Sequence, residues 1–210
     1  MVFVYPAYHT KIKYRGSFHL LHFYRMLKEN FRDKEYIATQ HPGVEAFTDE
    51  KYMETYYSQR LSSDPHLGKI VWIWWRTKKT DQNNKYYHFR LNLTFHLRFL
   101  RDIEVMHEGH KVKTQDGEIE MFVDSDLVCD AEGKWEENWF LKHIHKLFYE
   151  RIWRLERDNK RQLCRDDAEF FTSVIKKYFG LPIYDTPYAS REKDSFYYTG
   201  DRARPYEPAE

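Results

Sequence analysis

The sequence predicts an α+β domain: a twisted antiparallel sheet of about six or seven strands, with an N-terminal helix and two C-terminal helices packed on one face. Segments in which apolar and polar residues alternate fill the middle of the chain. Segments with apolar residues three and four positions apart lie nearer its two ends. Strands and helices are therefore grouped rather than interleaved, which is typical of an α+β fold.

The clearest strand runs from Tyr87 to Phe99. Because successive side chains of a strand point to opposite faces, its alternation predicts one buried face and one solvated face. At the helical angle of ~100° per residue, the same apolar side chains would be spread around the whole circumference. The apolar positions are Tyr87, Phe89, Leu91, Leu93, Phe95, Leu97 and Phe99, and the polar positions are His88, Arg90, Asn92, Thr94, His96 and Arg98.

The other strands are predicted from alternation and from the turns between them. Glu108-Gly109 and Asp116-Gly117 are typical of hairpin turns. Lys69 to Trp75 is apolar on both faces, as in a central strand. The predicted strands cover residues 9–14, 34–41, 51–61, 69–75, 102–107, 111–114 and 118–130.

Apolar residues at spacings of three and four predict three helices. The first spans about residues 18–31, with Ser17 as its N-cap. A long helix at about 136–157 is followed by another at 167–179, which Asp166 caps and Gly180 ends. The apolar stripe of the long helix consists of Leu141, Ile144, Phe148, Ile152 and Leu155.

Residues 1–181 are predicted to form a single domain, and residues 182–210 an extended or disordered tail with scattered proline, tyrosine and charge. The net charge of +1 gives no overall field toward nucleic acid or an anionic membrane. Cys129, at a strand end, and Cys164, between helices, have no disulfide or metal spacing, which suits a reducing cytosol. The first six residues are too short for a signal segment, and no apolar run approaches a membrane span. We therefore expect a cytoplasmic protein without a membrane partner.

A metal site has two candidate sources. Alternate residues of a strand lie ~7 Å apart, so the acidic side chains of the 118–130 strand are interpreted as a solvated face that pairs with Arg90 and Arg98. The histidine pairs match no zinc signature. The acidic residues are Glu118, Glu120, Asp124, Asp126 and Asp130, and the histidine pairs are His19 with His22, His107 with His110, and His143 with His145.

Motifs for catalysis are not evident in the sequence. It contains no nucleophile elbow and no phosphate-binding glycine loop, and only 8 of its residues are glycine. We therefore assign no catalytic residue, no metal and no cofactor. Whether the chain is an enzyme stays open, with a non-enzymatic role favoured.

Binding is the function that the residues favour. The first hypothesis is a non-enzymatic protein-interaction or structural module, which docks to a protein partner or to a second copy through an aromatic sheet face and the Tyr-rich tail. Nucleic-acid binding through the Arg and His side chains of the sheet is an alternative that the adjacent acidic strand opposes. The candidate residues for ligand or partner binding are Trp72, Trp74, Trp75, His88, Arg90, His96, Arg98, Trp135 and Trp139.

The order of predicted elements over residues 9–180 resembles the helix-grip (START-like, polyketide-cyclase-like) fold, in which a curved sheet wraps around a long C-terminal helix. The separate helix at 167–179 departs from the single terminal helix of that fold. This resemblance implies a further alternative, a carrier or enzyme that holds an apolar small molecule between the sheet and the helix at 136–157. The segment from Asp130 to Glu136, with the strand before it, resembles uncharacterised small archaeal proteins, which implies no activity, substrate or site.

Overall fold

The computed structural model describes residues 3–39, 53–61, 68–107, 110–131 and 133–183. Over these ranges the fold is α+β, as predicted. In chain order the elements are β1 (Phe3–Phe18), α1 (Leu20–Asp33), β2 (Ile37–Ala38), β3 (Glu54–Leu61), β4 (Lys69–Thr80), β5 (Tyr87–His107), β6 (His110–Cys129), α2 (Lys134–Glu137), α3 (Trp139–Leu147), a π-helical turn (Phe148–Ile152) and α4 (Arg154–Tyr178).

The described strands form one antiparallel sheet in the order β1-β6-β5-β4-β2, and β3 also pairs with β4. The first strand of the chain therefore pairs with β6, and Ile12 lies opposite Met121. On the far edge of β4, Ile37 pairs with Lys78 and Tyr57 pairs with Ile73. This order confirms the predicted antiparallel sheet and places β5 between β4 and β6.

The predicted alternation in β5 is confirmed from Tyr87 to Leu97 and fails at Phe99. The odd-numbered residues from Tyr87 to Leu97 are all buried, but Phe99 is 44% exposed, and Leu100 is buried in its place. Phe99 has a positive φ of 57°, and the pairing with β6 shifts register between Arg98 and Arg101. This β-bulge adds a residue and turns the following side chains to the other face.

The predicted turn at Asp116-Gly117 is wrong, because Gly117 lies inside β6. A Cβ atom at Gly117 would lie 3.0 Å from the carbonyl oxygen of Arg98 and 3.2 Å from the Cα atom of Leu100. The glycine thus permits the close approach of the bulged part of β5, which is a common role for glycine inside a strand. The hairpin itself closes between His107 and His110.

Aromatic side chains fill the space between the sheet and its helices. Phe31 of α1 stacks on Phe171 of α4, with ring centroids 4.2 Å apart. Phe23 meets Phe95 of β5 edge-on at 6.2 Å. All four of these rings are fully buried. The core is therefore a continuous layer of rings between α1, α4 and one face of the sheet.

The first strand is longer than predicted, which moves the start of the first helix. Because β1 extends from Phe3 to Phe18, Ser17 is a strand residue and not an N-cap. His19 is the N-cap of α1, and its ring nitrogen accepts a hydrogen bond from the backbone N–H of His22 at 3.1 Å. A histidine side chain here supplies the acceptor that the sequence suggested serine would provide.

The predicted C-terminal helices are present, but the predicted boundary between them at Asp166 is wrong. A single helix, α4, runs from Arg154 to Tyr178, so Asp166 and the buried Cys164 lie within it. The interruption comes earlier, at the π-helical turn and Trp153. Acidic and amide side chains are common at helix caps, but Asp166 is also compatible with an exposed helix interior, where it accepts a hydrogen bond from Gln162.

Other predictions are met in part or lie outside the described residues. Of the predicted strands at 34–41 and 51–61, the described portions that form strands are Ile37–Ala38 and Glu54–Leu61. The predicted tail, from residue 184 onward, lies outside the described residues. Among the helices of the described ranges, none is long and apolar enough to cross a membrane.

Candidate functional site

The sheet has a second face, opposite the one that α1 and α4 cover. We call it the open face. It carries the even-numbered residues of β4, of β5 up to Arg98 and of β6 from Glu118 to Asp126, together with Tyr56 of β3 and His9, Lys11 and Lys13 of β1. The β5 side chains here are half-buried, whereas their odd-numbered neighbours up to Leu97 are buried. Most of the predicted binding residues lie on this face.

Four rings form an aromatic patch on the open face: Tyr56, Trp72, Trp74 and His96. Tyr56 packs on Trp74 with ring centroids 4.4 Å apart, and these residues are 41% and 38% exposed. Trp72 stacks on His96 at 3.7 Å, with an angle of 13° between the ring planes. The patch spans β3, β4 and β5, because Trp74 pairs with Tyr56 on one side and Trp72 pairs with His96 on the other.

Arg76 packs against the Trp74 ring of this patch. Its guanidinium lies 5.4 Å from the Trp74 ring centre and donates hydrogen bonds to the carbonyl oxygens of Trp75 at 3.0 Å and Leu93 at 3.1 Å. Burial lowers the pKa of Arg76, although the group stays charged at neutral pH. Since its Nη1 donors are used within the sheet, Arg76 positions the patch and has fewer donors left for a phosphate.

Beside the patch, charges pair across three strands in a group that we call the charge ladder: Lys11, Lys13, Arg98, Glu118 and Glu120. Arg98 binds Glu118 and lies 2.8 Å from a carboxylate oxygen of Glu120. Lys11 lies 3.1 Å from Glu120, and Lys13 lies 3.1 Å from Glu118. Hydrogen bonds from Lys13 and Lys11 hold the pKa of Glu118 and of Glu120, respectively, below the usual value, with Arg98 adding to both effects. The expected pairing of the acidic strand with Arg98 is therefore confirmed, but the expected solvated face is wrong at Glu118 and Glu120, which are 9% and 7% exposed and buried beneath their cations.

His96 joins the aromatic patch to the charge ladder. One ring nitrogen lies 3.7 Å from Glu120, while the ring face covers Trp72. Burial and the nearby charge of Arg98 lower the pKa of His96, against the opposing effect of Glu120. The imidazole is therefore mainly neutral at pH 7 and acts as a flat stacking group.

Two further polar residues of β5, His88 and Arg90, also have partners near them. His88 makes a ring-nitrogen hydrogen bond with the carbonyl oxygen of Lys85 at 3.1 Å. Arg90 lies opposite Asp126 in the β5–β6 register. Burial raises the pKa of Asp126, and Arg90 counteracts part of this rise. These side chains extend the open face as a mixed, internally compensated polar surface.

The other three tryptophans of the predicted set lie away from the aromatic patch. Trp75 is fully buried against α1, where it meets Tyr24 edge-on at 4.9 Å. Trp135 stacks on His145 at 5.0 Å in a separate cluster at the end of the sheet. Trp139 lies on α3 and is 78% exposed. The structure thus divides the predicted residues among the open face, the core, an end cluster and a helix surface.

Tyr56 and Arg76 were not among the predicted binding residues. Tyr56 lies in a segment of alternating sequence, and its partner is 18 positions along the chain, so only the β3–β4 register brings it to Trp74. Arg76 follows three tryptophans in sequence, which is a usable signal because Arg often packs on aromatic rings.

Metal-binding clusters and thiols are two kinds of reactive site that can be assessed among the described residues. No group of three or more His, Cys, Asp or Glu side chains among them could hold a metal ion. Burial raises the pKa of both Cys129 and Cys164 to about 12, so neither thiol is a ready nucleophile at neutral pH. The Cys164 sulfur instead lies 2.9 Å from the Ser125 hydroxyl inside the core.

Comparison with known proteins adds no family: the sequence matches no protein-family model and has no significant match among curated proteins.

Proposed function

We propose that this protein is an interaction module whose open face binds a protein partner through the aromatic patch. The observation that carries the proposal is the contrast within that face. Five of its charged residues are paired with one another in the charge ladder, whereas Tyr56 and Trp74 present closely packed rings to solvent. Exposed aromatic rings beside a paired polar rim match the composition of protein interfaces, in which Tyr, Trp and Arg are enriched and isolated charge is depleted.

Nucleic acid fits this face less well than protein does. Affinity for phosphates depends on cations that can exchange their counterions for the backbone. On the open face, Arg98 is bound to two glutamates, and Arg76 donates to backbone carbonyls. The rings could stack on bases, but Lys11, Lys13 and Arg98 already pair with Glu118 and Glu120, so a phosphate would have to displace those carboxylates.

The carrier alternative has a specific obstacle. The helix-grip resemblance would place an apolar ligand between the sheet and the helix predicted at 136–157, but that stretch consists of the end of α2, α3, the π-helical turn and the start of α4. The long helix that packs on the sheet is α4, and beneath it Phe31, Phe95 and Phe171 are fully buried. A cavity of about 550 Å³ does occur, but it lies between α1 and the β5–β6 hairpin and is lined partly by His19, Leu21 and Val105. A ligand beneath α4 would require those packed rings to move apart, at a cost of about 1–3 kcal/mol or more, as when a well-packed core is forced to hold extra volume.

We also propose that the Tyr-rich tail is a second contact for the partner. The proposed location of the protein is the cytoplasm. The tail contains the run Phe196-Tyr197-Tyr198, whose rings resemble the side chains that anchor interfaces. Removal of residues 184–210 is expected to weaken the partner's binding without abolishing it, because the aromatic patch stays in place. A truncated protein that binds as tightly as the full chain would restrict the proposal to the sheet.

The test is affinity capture from cells that naturally express the protein, with variants that separate the two sides of β3. Tyr56→Ser combined with Trp74→Ser removes the exposed rings of the patch. Tyr57→Ser is the matched control, because Tyr57 is 54% exposed and pairs with Ile73 of the opposite face. We expect a protein that is captured by the wild type and by Tyr57→Ser to be lost from the double variant, with thermal unfolding showing that all three are folded. Equal capture by all three proteins, or capture that nuclease treatment removes, would contradict the proposal.

A further inference from the structure

The helices after the sheet expose a row of large apolar side chains, which we call the helix stripe: Trp139, Phe140, Leu147, Ile152 and Leu155. Their exposures are 78%, 62%, 49%, 57% and 70%, respectively. They belong to α3, the π-helical turn and the start of α4. Single exposed apolar residues are ordinary, but five large ones between Trp139 and Leu155, with the exposed His143 packed on Trp139 among them, are typical of an interaction surface.

The π-helical turn keeps this row in line. In an uninterrupted α-helix, Ile152 would lie four residues after Phe148 on the inward side. Instead, the backbone N–H of Trp153 donates to the carbonyl oxygen of Phe148 at 2.8 Å, a bond that spans five residues. Trp153 therefore takes the inward position, where it packs on Phe148 and Trp135 with centroids 5.6 Å and 5.2 Å away.

The extra residue turns Ile152 outward, after Leu147 and before Leu155. The spacing along the row is then eight, five and three residues from Trp139 to Leu155, which follows one side of the helical path. The sequence prediction that Ile152 and Leu155 are inward is wrong for this reason. Since π-helical turns are rare and occur frequently at functional sites, the turn supports a role for the surface it creates.

The size of the helix stripe fits half of a stable interface. The two aromatic side chains alone expose roughly 200–350 Å² if each has a total area of about 150–250 Å². With the three aliphatic residues, the exposed apolar area is on the order of 500 Å², near the upper range for the largest patch on a monomer. A standard interface takes about 800 Å² from each partner and is about 60% apolar. The exposed apolar area of the helix stripe therefore matches the apolar area that one partner contributes to such an interface.

The charges around the helix stripe favour a second copy of this chain over an anionic surface. Glu137 and Lys142 are exposed near its N-terminal end, and Glu150, Arg151 and Arg154 near its C-terminal end. Because exposed cations and carboxylates are mixed along this surface, a second copy can match both signs, whereas an anionic membrane would match only the cations. When two such helical segments lie antiparallel about a two-fold axis, the N-terminal end of one faces the C-terminal end of the other. This arrangement brings Glu137 of one copy toward Arg154 of the other.

We propose that the helix stripe is the contact between two copies of this chain, which pair as an antiparallel, two-fold symmetric dimer. Leu147 lies midway between Trp139 and Leu155, so the axis passes closest to it. This surface is separate from the open face, and the dimer would present two open faces to partners. The proposal therefore goes beyond the proposed function and does not depend on it.

Sedimentation of the full chain over a range of concentrations tests the dimer. We expect a mass of about twice 25.9 kDa for the wild type. Leu155→Glu places a carboxylate in each half of the contact and should weaken dimerisation by roughly a hundredfold or more. Trp139→Glu is a second variant with the same expected result. Leu61→Glu is the matched control, because Leu61 is 77% exposed on β3, far along the chain from the stripe, and should leave the dimer unchanged.

Disulfide crosslinking tests the position of the two-fold axis separately. After mild oxidation, Leu147→Cys should form a covalent dimer, whereas Leu61→Cys should not; the natural Cys129 and Cys164 are buried and stay reduced. A wild-type chain that remains monomeric, a Leu155→Glu protein that dimerises like the wild type, or a Leu61→Glu protein that loses the dimer would each overturn the proposal. A monomer whose stripe is protected from hydrogen exchange by the tail or by another protein would also overturn it.

Discussion

Phe171 offers a direct test of the ring layer between the sheet and α4. Phe171 is fully buried, stacks on Phe31 at 4.2 Å and meets Tyr36 edge-on at 6.0 Å. Replacement of a buried phenylalanine by alanine removes transfer free energy and leaves a cavity, at a cost of about 3–5 kcal/mol. Because domains of this size are stable by about 5–15 kcal/mol, Phe171→Ala should remove a large part of the free energy of unfolding.

The preceding residue provides a matched control on the same helix. Phe170 is 38% exposed and lies beneath the ammonium of Lys34, which is 4.6 Å from its ring centre. With partial burial and no enclosed cavity, Phe170→Ala should cost about 1–2 kcal/mol.

Urea unfolding, followed by tryptophan fluorescence and by circular dichroism, measures both losses. If Phe171→Ala lowers the free energy of unfolding no more than Phe170→Ala does, the space beneath α4 is loosely packed. A loosely packed space is what the carrier alternative requires for its ligand.

Three further predictions concern the strands and the thiols. Gly117→Ala should destabilise the fold by about 1–3 kcal/mol, since its Cβ would press on the backbone of β5; an unchanged midpoint of thermal unfolding would contradict the close approach. Because the pKa of Glu118 and of Glu120 is lower in the folded protein than the ordinary 4.5, the stability they contribute is present above that pH and is lost as pH falls through their folded pKa values. The free energy of unfolding should therefore fall less steeply below about pH 4.5 in a variant with Glu118→Gln and Glu120→Gln than in the wild type, and parallel curves would contradict the charge ladder. Burial raises the pKa of the Cys129 and Cys164 thiols to about 12, so a thiol reagent at pH 8 should label them only after unfolding; rapid labelling of the native protein would show that the core opens.

The fold class was predictable because a strand with one buried face has apolar residues at every second position of its sequence. Tyr87 to Leu97 lie on a regular pleat, so a period of two was enough to assign both faces. At Phe99 the same rule failed, since a bulge changes the phase and depends on the contact between β5 and Gly117, a residue on another strand. Glycine was a correct signal for an unusual backbone, but sequence alone did not distinguish a turn from a close approach.

The helices show the same limit. The inward positions Leu141, Ile144 and Phe148 follow the α-helical period, and the extrapolation to Ile152 failed where one π-helical turn added a residue. Such a turn depends on packing, here on Trp153 taking its place beside Trp135.

The candidate site was predicted in its composition more than in its arrangement. Three closely spaced tryptophans indicated a central strand with apolar side chains on both faces. Only the β4 register assigns Trp72 and Trp74 to the open face and Trp75 to the core. The pairing of Tyr56 with Trp74 requires β3 to lie beside β4, and that is a long-range fact with no local signature.

The most direct test of the open face is photo-crosslinking inside cells, with a benzophenone amino acid in place of Trp74 and, as control, in place of Tyr57. We expect one specific protein adduct from position 74 that is missing from position 57, and a reduced yield of this adduct when Tyr56→Ser is added. The absence of any protein adduct at position 74, or an adduct to nucleic acid instead, would contradict the claim that this face binds a protein.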